Sequence, residues 1–278
     1  MSSLSLGYSP CPNDTFIFYA LVHGKVPLPG FTVRERLEDV ETLNRMAFRE
    51  EMDISKISYH AFGYVQDRYV LLRSGSALGK GCGPLLVGQR EKTIVEGGLP
   101  RQRIAVPGEY TTASLLLRLY EPKAQNIVLL PFDQILQAVQ KGVVDAGVII
   151  HESRFTYQNF GLRKILDLGD WWEQYSGCPI PLGGIMVKRT LGQAAASLIE
   201  EAIRQSIRYA QAHPEEAKDY IRSHAQEMDD TVTSQHIGLY VNEYSLDIGQ
   251  DGENAIRFLL TEAKTKGIIP ASSFDLFQ

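Results

Sequence analysis

The chain has 278 residues, of which 22% are charged, and its net charge is −5. This length suits one large domain or two of ordinary size, and the mild acidity argues against a nucleic-acid-binding surface, which would show a basic patch. The sequence has no apolar run near the roughly 20 residues of a membrane helix and no signal-peptide pattern, so we expect a cytoplasmic protein without membrane insertion.

Three cysteines occur in the chain, at Cys11, Cys82 and Cys178. Their number is odd, they lie far apart, and no C-x-x-C motif is present. The sequence therefore predicts neither a disulfide framework nor a zinc site.

Apolar runs and helical periodicity predict alternating strands and helices along most of the chain. The predicted strands are residues 4–8, 31–37, 53–57, 85–88, 103–106, 127–130, 143–150 and 182–188. The predicted helices are residues 13–22, 40–49, 111–119, 132–141, 193–212, 214–226, 230–243 and 253–266. Asn13 or Asp14 is expected to cap the first helix, and the glycine-rich stretch 75–84 is expected to be a flexible crossover loop, since no helix follows it as a dinucleotide site requires.

The third strand ends in Lys56-Ile57-Ser58. Strand alternation places Lys56 and Ser58 on one side and Ile57 on the other. A lysine and a hydroxyl at the carboxyl end of a strand suit a ligand that carries a carboxylate. A solvated lysine beside a helix-capping serine is the alternative.

Thr111 and Thr112 stand where a helix is predicted to begin, after the Pro107-Gly108 break. Two hydroxyls at a helix start can cap the helix or bind an anion at the positive end of its dipole. Capping alone would need only one of them, so an anion contact is also open.

His151 follows the apolar run 143–150, which is expected to be a strand buried on both faces. In open α/β sheets, ligands bind beyond the carboxyl ends of strands. His151 is therefore either a general acid or base, since an unperturbed histidine has a pKa of about 6.5, or a residue that caps the strand through a backbone hydrogen bond. The later histidines His213, His224 and His236 lack ligand spacing and are expected at the surface or at helix caps.

The helix and strand that end at Lys56–Ser58 are similar in layout to the helix and strand that end at His151. Two such β-α-β units facing each other would form a cleft from their strand ends, although chance similarity of two β-α-β units is the alternative. From these residues alone, the sequence indicates a proton-transfer enzyme or a solute-binding protein.

Several segments together resemble the 1,4-dihydroxy-6-naphthoate synthases of the futalosine route to menaquinone. These segments are SPCPNDTF (9–16), LEDVETLN (37–44), Lys56-Ile57-Ser58, RSGSALGKGCGPLLV (73–87), VPGEYTTA (106–113), IIHESRFTY (149–157) and YVNEYSLDIG (240–249). The resemblance implies an α/β, two-lobed, type II periplasmic-binding-protein-like fold with two crossover segments and a C-terminal helical region. Residues 1–88 and 189–278 would form the larger lobe and residues 89–188 the smaller one, with the substrate cleft between them.

The same resemblance implies a carbon–carbon lyase that acts on cyclic dehypoxanthine futalosine. His151 would be the proton acceptor, and Lys56, Ile57, Ser58, Thr111 and Thr112 would bind the substrate. No metal or organic cofactor is expected, the only expected partner is a small substrate with a carboxylate, and the oligomeric state is left open.

Ser55 stands where this family is expected to have threonine, so it is not included in the site. A solute-binding protein of the same fold and the sister enzyme chorismate dehydratase are the competing functions.

Overall fold

The computed structural model describes residues 2–89, 98–225 and 229–277. The chain forms two compact units, the first made of Met1–Gly79 and Pro181–Gln278 and the second of Lys80–Ile180. None of the helices in the described ranges is long and apolar enough to cross a membrane.

The described residues form the following strands, in chain order. They are β1 (Ser2–Tyr8), β2 (Phe31–Leu37), β3 (Ile54–Ser58), β4 (Tyr69–Leu71), β5 (Ala77–Gly79), β6 (Leu85–Gly88), β7 (Ile104–Val106), β8 (Ile127–Leu129), β9 (Ala146–Ile149), β10 (Arg163–Asp167) and β11 (Ile180–Lys188). The helices are α1 (Pro12–Val22), α2 (Val40–Phe48), α3 (Tyr59–Phe62), α4 (Thr112–Tyr120), α5 (Phe132–Gln140), α6 (Ser153–Thr156), α7 (Leu168–Ser176), α8 (Gly192–Ala212), α9 (Pro214–His224), α10 (Asp230–Tyr240), α11 (Glu243–Leu246) and α12 (Gly249–Thr265).

Each unit contains one mixed sheet. In the first unit the strand order is β2-β1-β3-β11-β4, with β5 paired to β11, and β1 runs parallel to both β2 and β3 while β11 runs antiparallel to β3. In the second unit the order is β10-β6-β9-β7-β8, and β7 runs parallel to β8 and β9 while β6 runs antiparallel to β9. In each sheet, three neighbouring parallel strands are followed by a strand that runs antiparallel to them. This shared arrangement confirms the internal similarity expected from the sequence.

The core of the first unit is built around α1 and α8. Residues 12–21 of α1 are all buried, as expected for a helix covered on every side. Helix α8 buries one stripe at helical spacing, which includes Ala195, Ile199 and Ile203. The second unit has its own apolar core, to which α5 contributes Ile135, Leu136 and Val139.

The boundaries between the two units differ from the predicted ones. The family resemblance predicts boundaries at 88/89 and 188/189, whereas the compact units divide at 79/80 and 180/181. Strand β6 thus belongs to the second sheet, and β11 belongs to the first. Each connecting strand hydrogen-bonds into the sheet that it enters, because unpaired backbone groups of a buried strand need partners.

Two predicted elements are corrected by the structure. The strand predicted at 143–150 is present only as β9, and Val143 is 51% exposed. The backbone N–H groups of Val143 and Val144 donate to Ala138 O, closing the end of α5 instead of joining the sheet. The stretch 75–84 is not wholly a loop, because β5 within it pairs with β11.

Candidate active site

Lys56, in the middle of β3, is buried and forms an ion pair within the first unit. Its Nζ lies 3.1 Å from Asp14 Oδ1 and donates to Gly75 O at 2.7 Å. Gly75 has φ +80, and a Cβ there would lie 2.0 Å from Ile185 Cδ1, so glycine is required at this lysine-binding turn. Two of the three ammonium donors are therefore engaged by the protein itself.

Asp14 is the centre of a buried polar network that the sequence analysis missed. Its Oδ2 accepts from Ser9 Oγ at 2.7 Å, and its Oδ1 accepts from Asn13 Nδ2 at 2.9 Å. The amide oxygen of Asn13 lies 2.9 Å from His236 Nε2. A continuous chain of hydrogen bonds and one ion pair thus joins His236, Asn13, Asp14, Lys56 and Gly75.

This network corrects two expectations. Asn13 and Asp14 lie inside α1, whose cap position is Cys11, so neither is the N-cap. His236 is fully buried and not at the surface or at a cap. The polar pair Asn13-Asp14 in an otherwise apolar helix was the available sequence signal, since buried polar groups need partners.

Ser58, at the end of β3, is held by the side chain of Asn44 from α2. Asn44 Nδ2 donates to Ser58 Oγ at 3.1 Å, and Ser58 N donates to Asn44 Oδ1 at 3.0 Å. Ser58 is 3% exposed, and Ile57 beside it is also buried. The hydroxyl oxygen therefore accepts one bond from the protein and keeps the capacity to donate its own proton.

Thr111 is the N-cap of α4 in the second unit, and Thr112 is the first helical residue. Thr111 Oγ1 accepts from Ser114 N at 3.2 Å and donates to Gly108 O at 3.0 Å. Both threonines are buried. The Thr111 hydroxyl thus shapes the turn between β7 and α4, as the capping interpretation predicts.

His151 lies two residues beyond β9 with φ +56, in the left-handed region. It is partly exposed, and its imidazole meets the ring of Phe132 edge-on, with centroids 4.9 Å apart and an interplanar angle of 64°. His151 is therefore partly exposed and its imidazole packs on an aromatic ring, which suits an acid/base group better than a fully buried strand cap.

The sheet of the second unit places three of these groups at one edge. The parallel neighbours β7 and β9 end there, so Thr111 and Thr112, which follow β7, and His151, which follows β9, lie at the same carboxyl edge. Phe132 follows β8, which is parallel to β7, and its ring reaches His151 at that edge. Lys56, Ile57 and Ser58 belong to the other sheet, at the carboxyl end of β3 next to β1.

Three further titratable groups, Tyr59, Tyr8 and Cys82, are kept in their protonated form at neutral pH. Burial raises the pKa of Tyr59, whose hydroxyl lies 2.7 Å from Ser76 Oγ, far above its ordinary value. Burial likewise raises the pKa of Tyr8, with further contributions from its hydrogen bonds to Glu35 and Tyr220. In the second unit, burial raises the pKa of the Cys82 thiol to about 12.

Comparison with solved structures defines the class of protein. A Candida albicans protein described as having the generic periplasmic binding protein structural fold is 15% identical, with a TM-score of 0.70, over 98% of this chain and 92% of its own. A protein from Archaeoglobus fulgidus is 37% identical, with a TM-score of 0.89, over 96% and 98% of the two chains. The protein therefore has a two-unit α/β fold like that of periplasmic binding proteins, as the family resemblance implied.

Sequence similarity identifies the family of the chain. A protein family described as menaquinone biosynthesis matches residues 4–265. The 1,4-dihydroxy-6-naphthoate synthase of Thermus thermophilus is 51% identical over the whole of both chains, and that of Streptomyces coelicolor is 48% identical over 98% of this chain and 97% of its own. The chain belongs to the menaquinone biosynthesis family, among the 1,4-dihydroxy-6-naphthoate synthases.

Proposed function

We propose that this protein is a carbon–carbon lyase. It converts cyclic dehypoxanthine futalosine to 1,4-dihydroxy-6-naphthoate and releases a three-carbon, dihydroxyacetone-type fragment. The observation that supports this most is His151, a partly exposed residue at the carboxyl edge of the second sheet whose imidazole packs on an aromatic ring. The names of the two bacterial relatives supply the product.

In the proposed reaction, the neutral imidazole of His151 removes a proton from the substrate. A retro-aldol-like cleavage follows, in which one carbon–carbon bond breaks and the new ring becomes aromatic. General base catalysis by a positioned histidine contributes roughly 10²–10⁴-fold to such a step. Aromatisation supplies the driving force, so the protein needs mainly to accept the proton and hold the substrate in place.

The substrate-binding part of the proposal uses the groups at the two strand edges. Ser58 can donate its hydroxyl proton while it accepts from Asn44, and Lys56 contributes positive charge beside Asp14. Ile57 shapes the strand end, Thr111 shapes the turn before α4, and Thr112 stands at the positive end of the α4 dipole. The proposal includes a substrate carboxylate and a cytoplasmic location.

The test is to incubate the pure protein separately with cyclic dehypoxanthine futalosine and with chorismate. The proposal predicts naphthoate absorbance and an equal amount of the three-carbon fragment from the first compound, and no change in the second. Loss of water from chorismate would identify the sister dehydratase activity instead. Binding of either compound without turnover would identify a solute-binding protein and would contradict the proposal.

A further inference from the structure

We propose that Arg154 is a positioning residue for His151, tying the backbone of the histidine to the rigid frame of the second unit. The kinetic part of this inference rests on the proposed function, in which His151 is the base. The structural part concerns only where the imidazole is held, and it can be tested without turnover.

The backbone of His151 needs support from its surroundings. Within the described ranges, His151 and Glu50 are the non-glycine residues with positive φ. The left-handed conformation is unfavourable for an L-residue, because its Cβ crowds the backbone. The helix that follows, α6, has only four residues and is too short to stabilise itself. Contacts to other segments must therefore hold this turn.

The Arg154 side chain supplies such contacts to two other segments. Its Nη1 donates to Gly83 O, and its Nη2 donates to Gly81 O at 2.8 Å. Nη2 also lies 3.0 Å from Asp167 Oδ2, and the arginine side chain is only 16% exposed. One planar guanidinium thus joins α6 to the loop before β6 and to the end of β10.

Both anchoring segments are themselves fixed. Asp167 caps α7 by accepting from Gly169 N at 2.9 Å and Asp170 N at 3.2 Å. A Cβ at Gly83 would lie 2.3 Å from Gly169 Cα, so this loop packs directly on the start of α7. The guanidinium is therefore attached to well-packed parts of the unit, and not to mobile surface groups.

The backbone of Arg154 completes the connection to the histidine. Arg154 N donates to His151 O at 3.3 Å, while Phe132 contacts the imidazole. Fixing the arginine fixes the histidine carbonyl, and that restricts where the ring lies on Phe132. Because the guanidinium is engaged by three oxygen atoms of the protein, it is suited to positioning and not to binding a substrate carboxylate.

The experiment compares Arg154→Lys with the wild type by proton NMR of the imidazole C–H groups. His151 is one of six histidines, and its signals are assigned by their loss in His151→Asn. The edge-on Phe132 ring shifts these signals, and we expect Arg154→Lys to move them towards those of a free histidine, since an ammonium group cannot reproduce the planar, multiply bonded geometry. The turnover number should fall by about 10²-fold with KM changed less than twofold.

Two further variants make the result interpretable. Asp167→Asn keeps a good cap for α7 but removes the charge that Arg154 contacts, so it should move the same NMR signals in the same direction, and it serves as the test if Arg154→Lys does not fold. Lys164→Gln is the matched control, because Lys164 Nζ lies 3.9 Å from the same Asp167 oxygen and its side chain is 46% exposed. It should leave both the His151 signals and the turnover number unchanged.

The inference is overturned if the His151 signals stay in place in both folded variants, whether or not turnover falls. If the wild type makes no naphthoate but the signals move as expected, the proposed function fails and the positioning role stands. If naphthoate forms and the signals do not move, the proposed function stands and the positioning role fails.

Discussion

The ends of β3 and β9 occupy equivalent places in two similarly ordered sheets, yet they use their polar residues in different ways. Near the carboxyl end of β3, Lys56 pairs with Asp14 of α1, and both side chains are less than 7% exposed. At the end of β9, His151 is partly exposed, and its imidazole contacts an aromatic ring. The first region is a buried, ion-paired network, and the second carries a partly exposed imidazole.

We therefore expect the Lys56 region to contribute mainly to stability and the His151 region to contribute mainly to chemistry. A buried ion pair is costly to break, because the remaining charge has no partner and little solvent. An accessible imidazole costs little to replace but can accept a proton. We therefore expect substitutions near Lys56 to lower the free energy of unfolding, and substitutions at His151 to lower turnover.

The largest loss of stability is expected from Lys56→Met. It leaves the Asp14 carboxylate buried without its ammonium partner and should lower the free energy of unfolding by about 3–5 kcal/mol, measured by urea unfolding. Lys188→Met is the matched control, because Lys188 pairs with Asp53 at a similar 3.1 Å but with both side chains more than 20% exposed. It should cost about 1 kcal/mol or less. Equal losses of unfolding free energy in the two variants would contradict the expected effect of burial on the Lys56–Asp14 pair.

A smaller loss is expected from Ser58→Ala. Asn44 is fully buried, and the change removes the oxygen that accepts from its Nδ2, which should cost about 1–3 kcal/mol of unfolding free energy. Ser55→Ala is the control on the same strand, since the Ser55 hydroxyl donates to Lys56 O and its removal leaves no buried donor unpaired at that residue. A Ser55 variant less stable than the Ser58 variant would reverse this ranking.

In the second unit, Thr111→Ala should cost about 1 kcal/mol, because it removes the cap of α4. Thr111→Ser keeps the hydroxyl that accepts from Ser114 N and should unfold within a few tenths of a kcal/mol of the wild type. Thermal unfolding of the three proteins measures both differences. If the alanine and serine variants unfold alike, the hydroxyl is not acting as a cap.

The smallest effect concerns the loop that Arg154 holds. Burial raises the pKa of Cys82 to about 12, so at pH 8 only about one part in ten thousand is thiolate, the reactive form. Iodoacetamide should therefore leave Cys82 unmodified while it labels the more exposed Cys178, as read by peptide mass spectrometry. In urea, all three cysteines should react. Labelling of native Cys82 as fast as Cys178 would show that this loop is open.

The sequence was sufficient to predict the strands and helices whose apolar pattern reflects burial, and it located the β9 end that carries His151. It failed at residues 143–145, where the apolar valines Val143 and Val144 close a helix through backbone bonds to Ala138 O. Local pattern cannot show which backbone partner a residue will take.

The candidate site was predicted less completely, because its partners are distant in the chain. Asp14 and Lys56 are 42 positions apart, and Asn13 and His236 are 223 positions apart. A charged residue in an apolar helix signals that some partner exists, but only the fold shows which one. The reaction itself was indicated by family resemblance and not by any local spacing.

The most direct test of the central claim compares substrate binding and turnover in His151→Asn. Asparagine tolerates the left-handed conformation, so the turn should remain folded. We predict that this variant binds cyclic dehypoxanthine futalosine with a Kd near that of the wild type, measured by calorimetry, while naphthoate formation falls roughly 10²–10⁴-fold. Conversion of the bound substrate at the wild-type rate would contradict the assignment of His151 as the base.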